Sequence, residues 1–303
     1  MEIKTNKANL KNLGEIPDLF NSISLEKRLE IFRKMCLIRS FEKEVIKAHD
    51  LGLIKCPIYL SIGQEAISSA VSAFFRSDLI FAQHRCHSVY LAFGGDQGKL
   101  IDELLGRDCG CSGGKGGSPG LQDDKIGMIG HHGLIGENVP LAVGAALGDR
   151  SKKVVCFFGD GAAEEDYVFT AMSFAVTHKL PVFFVCEDNN LAVLTQKAER
   201  RNWELVDAAK AIGLPSVDIT DDPWLISHYV GEFTKDLPAL INCRTCRHHW
   251  HTGTGVDSEP EWDRLEMTKE QFLSAGLKGE AEEIENQIKE STEKLWEKHL
   301  EKQ

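Results

Sequence analysis

Asp160 lies between Gly159 and Gly161, directly after the apolar run 154–158, and Asn189 follows a second apolar run about thirty residues later. An acid and an amide so spaced fall at the carboxyl ends of two parallel strands joined by a helix. From there both can reach one Mg²⁺, a hard cation that takes oxygen ligands and is commonly shared with phosphates. The glycines let the backbone come close to a diphosphate, and the helix that follows offers unpaired N–H groups and a positive dipole end. Alone, Asp160 reads first as a turn or cap residue at a strand–helix junction. The paired Asn189, together with the further blocks described below, turns the reading towards a metal diphosphate.

Such a pair needs a scaffold, and the apolar pattern supplies one. The run 153–158 (KVVCFF) and the run 182–186 read as buried strands, since continuous β-branched and aromatic stretches suit a parallel sheet covered on both faces. Helices are expected over 139–147, 164–178 and 204–212, and further strands at 217–219 and 239–243. Strand–helix–strand alternation implies an α/β fold with a doubly wound, mostly parallel sheet. Ligands on such sheets bind outside the carboxyl ends of the strands, where Asp160 and Asn189 fall.

Upstream, residues 1–24 read as an irregular leader, and Ser24 as the cap of a helix over 25–51. A helix of small residues is expected over 61–75, and a long glycine-rich loop over 104–133. A charged helix over 279–302 carries Ile284, Ile288 and Leu295 on one side, as a surface helix packed by that stripe or as a subunit contact. The expected organisation is a leader (1–24), one α/β domain (25–278) and a C-terminal helix (279–303).

The net charge of −11 argues against a nucleic-acid partner, which needs a basic face. No stretch approaches the roughly 20 apolar residues of a membrane span. The N-terminus has no apolar signal region, and nine cysteines without one read as reduced thiols, so a cytoplasmic location is expected. Cys109-x-Cys111 and Cys243-x-x-Cys246 invite a zinc reading, but only the second pair has finger-like spacing, and buried thiols are the simpler account. GCSGGKGG lacks the spacing and the Ser/Thr of a P-loop, and no G-x-G-x-x-G or G-x-S-x-G element follows a strand.

Five further blocks accompany the metal pair: IRSFEKEVI (38–46), LSIGQEAISSAV (60–71), HRCHSVYLAFGGD (84–96), LLGRDCGCSGGKGGSPG (104–120) and GLIGENVPLAVGAALGD (133–149). In this order they resemble thiamine-diphosphate enzymes of one branch. That branch is the α subunits of the first, decarboxylating component of 2-oxo-acid dehydrogenase complexes, acetoin dehydrogenase α subunits included. The resemblance runs from about residue 25 to 257. It implies the thiamine-diphosphate-binding fold, with thiamine diphosphate and Mg²⁺ as cofactors. Asp160, Asn189 and the carbonyl of Leu191 match the metal ligands, and His84 and Arg85 match the diphosphate-binding positions. A guanidinium suits bidentate phosphate recognition. Gly161 and Ala162 would give backbone N–H groups to the diphosphate, while Gly133 and Ile135 match the aminopyrimidine end. CRHHWHTGTGVD (246–257) resembles the family's mobile active-site loop, with His251 on its loop histidine and Arg247 and His249 on neighbouring positions. Three histidines in four residues also resemble a metal tract, but a polar, glycine-rich stretch suits a lid.

The resemblance further implies a β subunit carrying the activating glutamate, an α2β2 assembly, a small 2-oxo acid as substrate and a lipoyl-bearing acyltransferase as acyl acceptor. Glu65 and Glu137 read as structural or interface acids. Several positions depart from the family. Leu191 replaces a usual Tyr, Asp188 a usual Asn, and Tyr59 a His common before the GQEA block, while Thr252 stands where some relatives have a regulatory serine. The departures at Tyr59 and in the loop leave the substrate open and keep two alternatives in view: a biosynthetic thiamine-dependent carboligase and a degenerate regulatory subunit.

Overall fold

Alternate residues of the central strands face opposite ways, and both ways are buried. In the computed structural model, which describes residues 10–130, 133–256 and 259–301, Val155, Phe157, Phe183 and Val185 enter one apolar core. Val154, Cys156, Phe158, Val182, Phe184 and Cys186 enter another on the opposite face. This is why these strands read as unbroken apolar runs rather than alternating ones.

The chain begins with a 3₁₀ turn at Leu10–Asn12, then α1 (Leu19–Ser22), α2 (Leu25–Asp50) and α3 (Glu65–Phe74). β1 (Leu79–Phe81), α4 (His87–Ala92), α5 (Gln97–Leu104) and β2 (Met128–Ile129) follow. The wound half of the fold is α6 (Asn138–Gly148), β3 (Val154–Gly159), α7 (Asp166–His178) and β4 (Val182–Asp188). A small hairpin of β5 (Leu191–Ala192) and β6 (Thr195–Gln196) leads to α8 (Lys197–Arg200) and α9 (Leu205–Ala211). β7 (Ser216–Thr220), α10 (Pro223–Phe233), β8 (Ala239–Arg244), α11 (Arg264–Ser274) and α12 (Lys278–Leu300) complete the chain. The sheet has six strands in the order β2-β1-β3-β4-β8-β7, and every pairing in it is parallel. The doubly wound α/β expectation is met. Among the described residues no helix is long and apolar enough to cross a membrane.

Four sequence expectations need correction. The helix expected from residue 61 begins only at Glu65. Gly63 adopts φ +99°, and a side chain there would strike the Cys246 carbonyl, so a close chain approach overrides helix formation. The helix expected from 164 is split: Ala162–Glu164 forms one 3₁₀ turn, Glu165 is extended, and α7 starts at Asp166. The described part of the supposed leader is packed rather than irregular. Thr220 N–H bonds the Leu13 carbonyl at 2.9 Å, and the Phe20 ring meets Trp224 at 5.2 Å and Phe272 at 5.3 Å. Residues 1–9 lie outside the described residues. Finally, β1, α4, α5, α10 and α11 carry too short or too mixed a pattern to be expected as elements.

Ser24 does cap α2, its side chain accepting from Lys27 N–H. In α12, Ile284 is buried, and Ile288 and Leu295 pack against the core beside the fully buried Trp296. The glycine-rich stretch is a loop with one short strand, and its shape has a clear cause. The Glu103 carboxylate accepts the N–H groups of Ser112, Gly114, Gly116 and Gly117 at 2.7–2.9 Å. A Cβ at Gly116 would collide with the Gly120 carbonyl.

Candidate active site

Because every strand of the main sheet runs the same way, the turns after β1, β3, β4 and β8 emerge on one edge. They enclose a cavity of about 200 Å³. His84, Arg85, Asp160, Gly161 and Ala162 line it, as do Gly133, Ile135, Asn189, Leu191 and His251. All ten positions matched to cofactor or metal binding are thus brought to one space. His249 is not: its Nδ1 lies 2.9 Å from the Thr254 carbonyl, within its own loop, and it does not line the cavity. Asp257, at the end of that loop, lies outside the described residues. The lining also includes Tyr59, Gln83, Pro119, Ala192, Val193 and Arg247. None of these is a ligand on the sequence reading. Gln83 and Tyr59 directly adjoin two family blocks, which is the only signal in the sequence for them.

Arg85 is the central cation. It is 2% exposed, and its donors go to carbonyls: Nη1 to Leu60 at 2.6 Å and Nη2 to His251 at 3.1 Å. Among the described residues it forms no ion pair with a carboxylate. Burial, then the neighbouring Arg247, push its pKa down to about 10, while Glu187 and Glu42 work the other way. It stays protonated at neutral pH. A buried guanidinium that faces a cavity with no acid partner is chemically suited to an anion, and the planar fork favours phosphate. Beside it, the Tyr59 ring meets His84 at 4.9 Å and His251 at 5.5 Å, and the two histidines are 5.2 Å apart. Burial, with Arg85 and Arg247 close by, pushes the His251 imidazole down to about 4, so it is neutral at pH 7.

Across the cavity, Asp160 is 1% exposed. Burial and the nearby Asp188 raise its pKa to about 6, and Arg200 and Arg201 pull against that. Arg200 Nη2 bonds its Oδ2, and Arg201 Nη1 bonds its backbone carbonyl at 3.1 Å. Arg200 also reaches Glu164 and, through Nε, the Thr195 carbonyl at 3.2 Å. One side chain therefore joins the Gly-Asp-Gly turn to the β5–β6 hairpin. Asn189 donates from Nδ2 to Gln64 at 3.0 Å, and its Oδ1 accepts Leu191 N–H at 3.1 Å. An amide oxygen has two lone pairs, so one remains for a cation. Among the described residues no group of three or more His, Cys, Asp or Glu is arranged to hold a metal. A cation here would rely on the single Asp160 carboxylate, on amide and carbonyl oxygens and on the phosphates of its own ligand. The N–H groups beside Asp160 belong to the 3₁₀ turn and not, as the spacing suggests, to the start of α7.

The departures have local explanations. Asp188 is buried, but Lys197 Nζ stands 3.1 Å from it and the Arg244 guanidinium bonds the same oxygen. Arg244 in turn holds Asp218 at 2.8 Å and Glu204 at 2.7 Å. The extra negative charge therefore brings its own cations. Leu191 keeps the backbone carbonyl that the family's Tyr would present. Sequence reasoning misses Glu187, a buried acid whose pKa burial raises to about 7 and to which Gln83 donates.

A parallel, doubly wound sheet with a buried guanidinium, a carboxylate and an amide around one cavity at its carboxyl edge defines a coenzyme-binding α/β protein of the diphosphate-binding kind. The model of the "Dehydrogenase E1 component" family matches residues 33–297, and the chain belongs to this family. It is 30% identical over 90% of its length to the alpha subunit of acetoin:2,6-dichlorophenolindophenol oxidoreductase from Bacillus subtilis, covering 89% of that protein. It is 29% identical to the pyruvate dehydrogenase E1 component subunit alpha of Zymomonas mobilis, with 93% and 87% of the two chains covered. The corresponding Rickettsia bellii subunit is 28% identical, with 88% of each chain covered. The protein is an alpha-type component of an oxidoreductase. Its family implies thiamine diphosphate, and an alpha subunit implies a beta-subunit partner.

Proposed function

We propose that the chain is the alpha subunit of a cytoplasmic thiamine-diphosphate-dependent dehydrogenase for a 2-oxo acid of the pyruvate type or for acetoin. It joins a beta subunit carrying the activating glutamate in an α2β2 assembly and passes the acyl group to a lipoyl-bearing acyltransferase. Residues 25–278 form the cofactor-binding unit, and the C-terminal unit that begins at 279 is helical as far as Leu300. The observation that carries this reading is Arg85: a buried cation with no carboxylate partner among the described residues, facing the cavity that Asp160 and Asn189 also line.

Asp160, Asn189 and the Leu191 carbonyl hold Mg²⁺, and Arg85 and His84 hold the diphosphate. When bound, thiamine diphosphate supplies the electron sink that makes decarboxylation possible. Arg85 neutralises phosphate charge in a site of low polarity, where the interaction is strengthened. Gly161 and Ala162 present backbone N–H groups with no large side chain in the way. Gly133 and Ile135 form the wall for the aminopyrimidine end. His251, neutral at pH 7, can accept a proton beside the phosphates. Tyr59, Val193 and Pro119 line the same cavity.

The test is titration calorimetry of the purified alpha–beta complex with thiamine diphosphate and Mg²⁺. Binding that needs Mg²⁺ and disappears in Asp160→Ala is expected; unchanged Mg²⁺-dependent binding in that variant would remove the metal assignment.

A further inference from the structure

Behind the cavity wall, three fully buried side chains form a connected series that the site chemistry does not use. Ser118 Oγ lies 2.9 Å from His87 Nε2, and His87 Nδ1 lies 3.0 Å from Glu42 Oε2. All three residues are 0% exposed. A serine, a histidine and an acid in this order have the makings of a nucleophilic triad. Here the hydroxyl cannot meet a substrate: it has no solvent exposure, and Tyr59 N–H already donates to it at 3.0 Å.

Two of the bonds have a fixed direction: Tyr59 N–H donates to Ser118 Oγ, and the Glu42 carboxylate, an acceptor, faces a proton on His87 Nδ1. Ser118 Oγ keeps a second lone pair and its own proton for the contact with His87 Nε2. The other Glu42 oxygen accepts Ser61 N–H at 2.6 Å. The series therefore starts and ends on one short segment, pinning it at Tyr59 and at Ser61. Between these two, the Leu60 carbonyl accepts Arg85 Nη1 at 2.6 Å, and the Tyr59 ring backs His84 and His251. The pieces come from α2, α4 and the glycine-rich loop that Glu103 gathers.

We propose that Ser118, His87 and Glu42 are positioning residues: they hold residues 59–61 so that Leu60 aims Arg85, and Tyr59 supports the two histidines, for diphosphate binding. This rests on the diphosphate reading of the cavity. A buried polar network with every member satisfied is rigid, and the loss of one link leaves donors without acceptors.

The experiment uses the alpha–beta complex and two probes, inorganic diphosphate and thiamine diphosphate with Mg²⁺, measured by calorimetry beside thermal melting. Ser118→Ala strands the Tyr59 N–H and is expected to weaken both probes on the order of tenfold, the factor of about one lost hydrogen bond. Ser118→Thr keeps the hydroxyl and restores affinity. Glu42→Gln, of nearly the same shape, keeps one acceptor oxygen where the carboxylate served both Ser61 N–H and His87 Nδ1, so its NH2 meets one of these groups, and it is expected to behave like Ser118→Ala; it serves equally if the alanine variant does not fold. At saturating cofactor kcat should stay close to wild type while the KM for thiamine diphosphate rises. Lowered melting temperature with unchanged affinity in both Ser118→Ala and Glu42→Gln overturns the proposal and leaves a purely structural network. Arg85→Ala separates the two ideas: wild-type affinity in that variant sinks the diphosphate reading itself.

Discussion

The carboxyl edge of the sheet and the layer made by α2, α11 and α12 are built on opposite principles. At the edge, Arg85, Asp160, Glu187, Asp188 and Arg244 are all buried. In the helical layer the buried groups are mostly apolar, including Phe32, Phe272, Ile284 and Trp296. Most of its charges lie outward, as in the exposed Lys294–Glu290 pair, and the buried exceptions are partnered within the protein: Arg39 with Glu65, Arg264 with Asp221 and Glu42 with His87. Burying a charge costs several kcal/mol after relaxation and is rarely the most favourable way to hold a fold. The helical layer supplies stability, and on the proposed reading the edge retains charge for an anion and a cation to bind.

The largest effect that tests this contrast is on the edge. Asp160→Ala should abolish Mg²⁺-dependent binding of thiamine diphosphate in calorimetry, with only a modest change in the urea midpoint. Next comes its mirror image in the helical layer. Phe272→Ala removes a fully buried ring that touches Phe20, Phe32 and Trp224. It should cost about 3–5 kcal/mol in a urea melt while cofactor affinity stays unchanged. If Phe272→Ala weakens binding as strongly as Asp160→Ala, the two regions are not separable.

A smaller effect lies in the pH dependence. Folded His251 has its pKa pushed down to about 4, whereas an unfolded histidine titrates near 6.5. Between these values the unfolded chain binds more protons, so this group makes stability fall as pH drops through that window. Asp160, raised to about 6, acts in the opposite sense between its unfolded value of about 3.8 and 6. The informative quantity is therefore the difference between wild type and His251→Asn. The variant should lose less stability between pH 6.5 and 4, and identical pH profiles would show that His251 is not held neutral. Smallest of all, Lys294→Ala breaks only a solvated pair on α12 and should leave both melting temperature and cofactor affinity unchanged.

Much of the edge is legible in the amino-acid sequence, for a local reason. A strand buried on both faces writes itself as a continuous apolar run, and Asp160 and Asn189 directly follow two such runs. Family blocks then place His84, Arg85, Ile135 and His251. They also suggest His249, which spacing alone could not exclude: a loop of three nearby histidines does not say which ring turns inward, and the Thr254 carbonyl holds this one in its own loop. The helical layer is less legible. Trp224 and Phe272 are 48 positions apart, and their meeting at 6.1 Å depends on how α10 and α11 cross, not on either segment's periodicity.

By itself the sequence determined the parallel sheet, the strand ends that carry the metal-type pair and the capped helix α2, because each follows from residues close together in the chain. Only the tertiary structure decided that Arg85 would be buried without a carboxylate partner among the described residues, that Asp188 would meet Lys197 and Arg244, and that Ser118, His87 and Glu42 would close on residues 59–61. Those outcomes join residues as far as 76 positions apart. They depend on desolvation and on the directions of single hydrogen bonds, which exist only once the chain has packed.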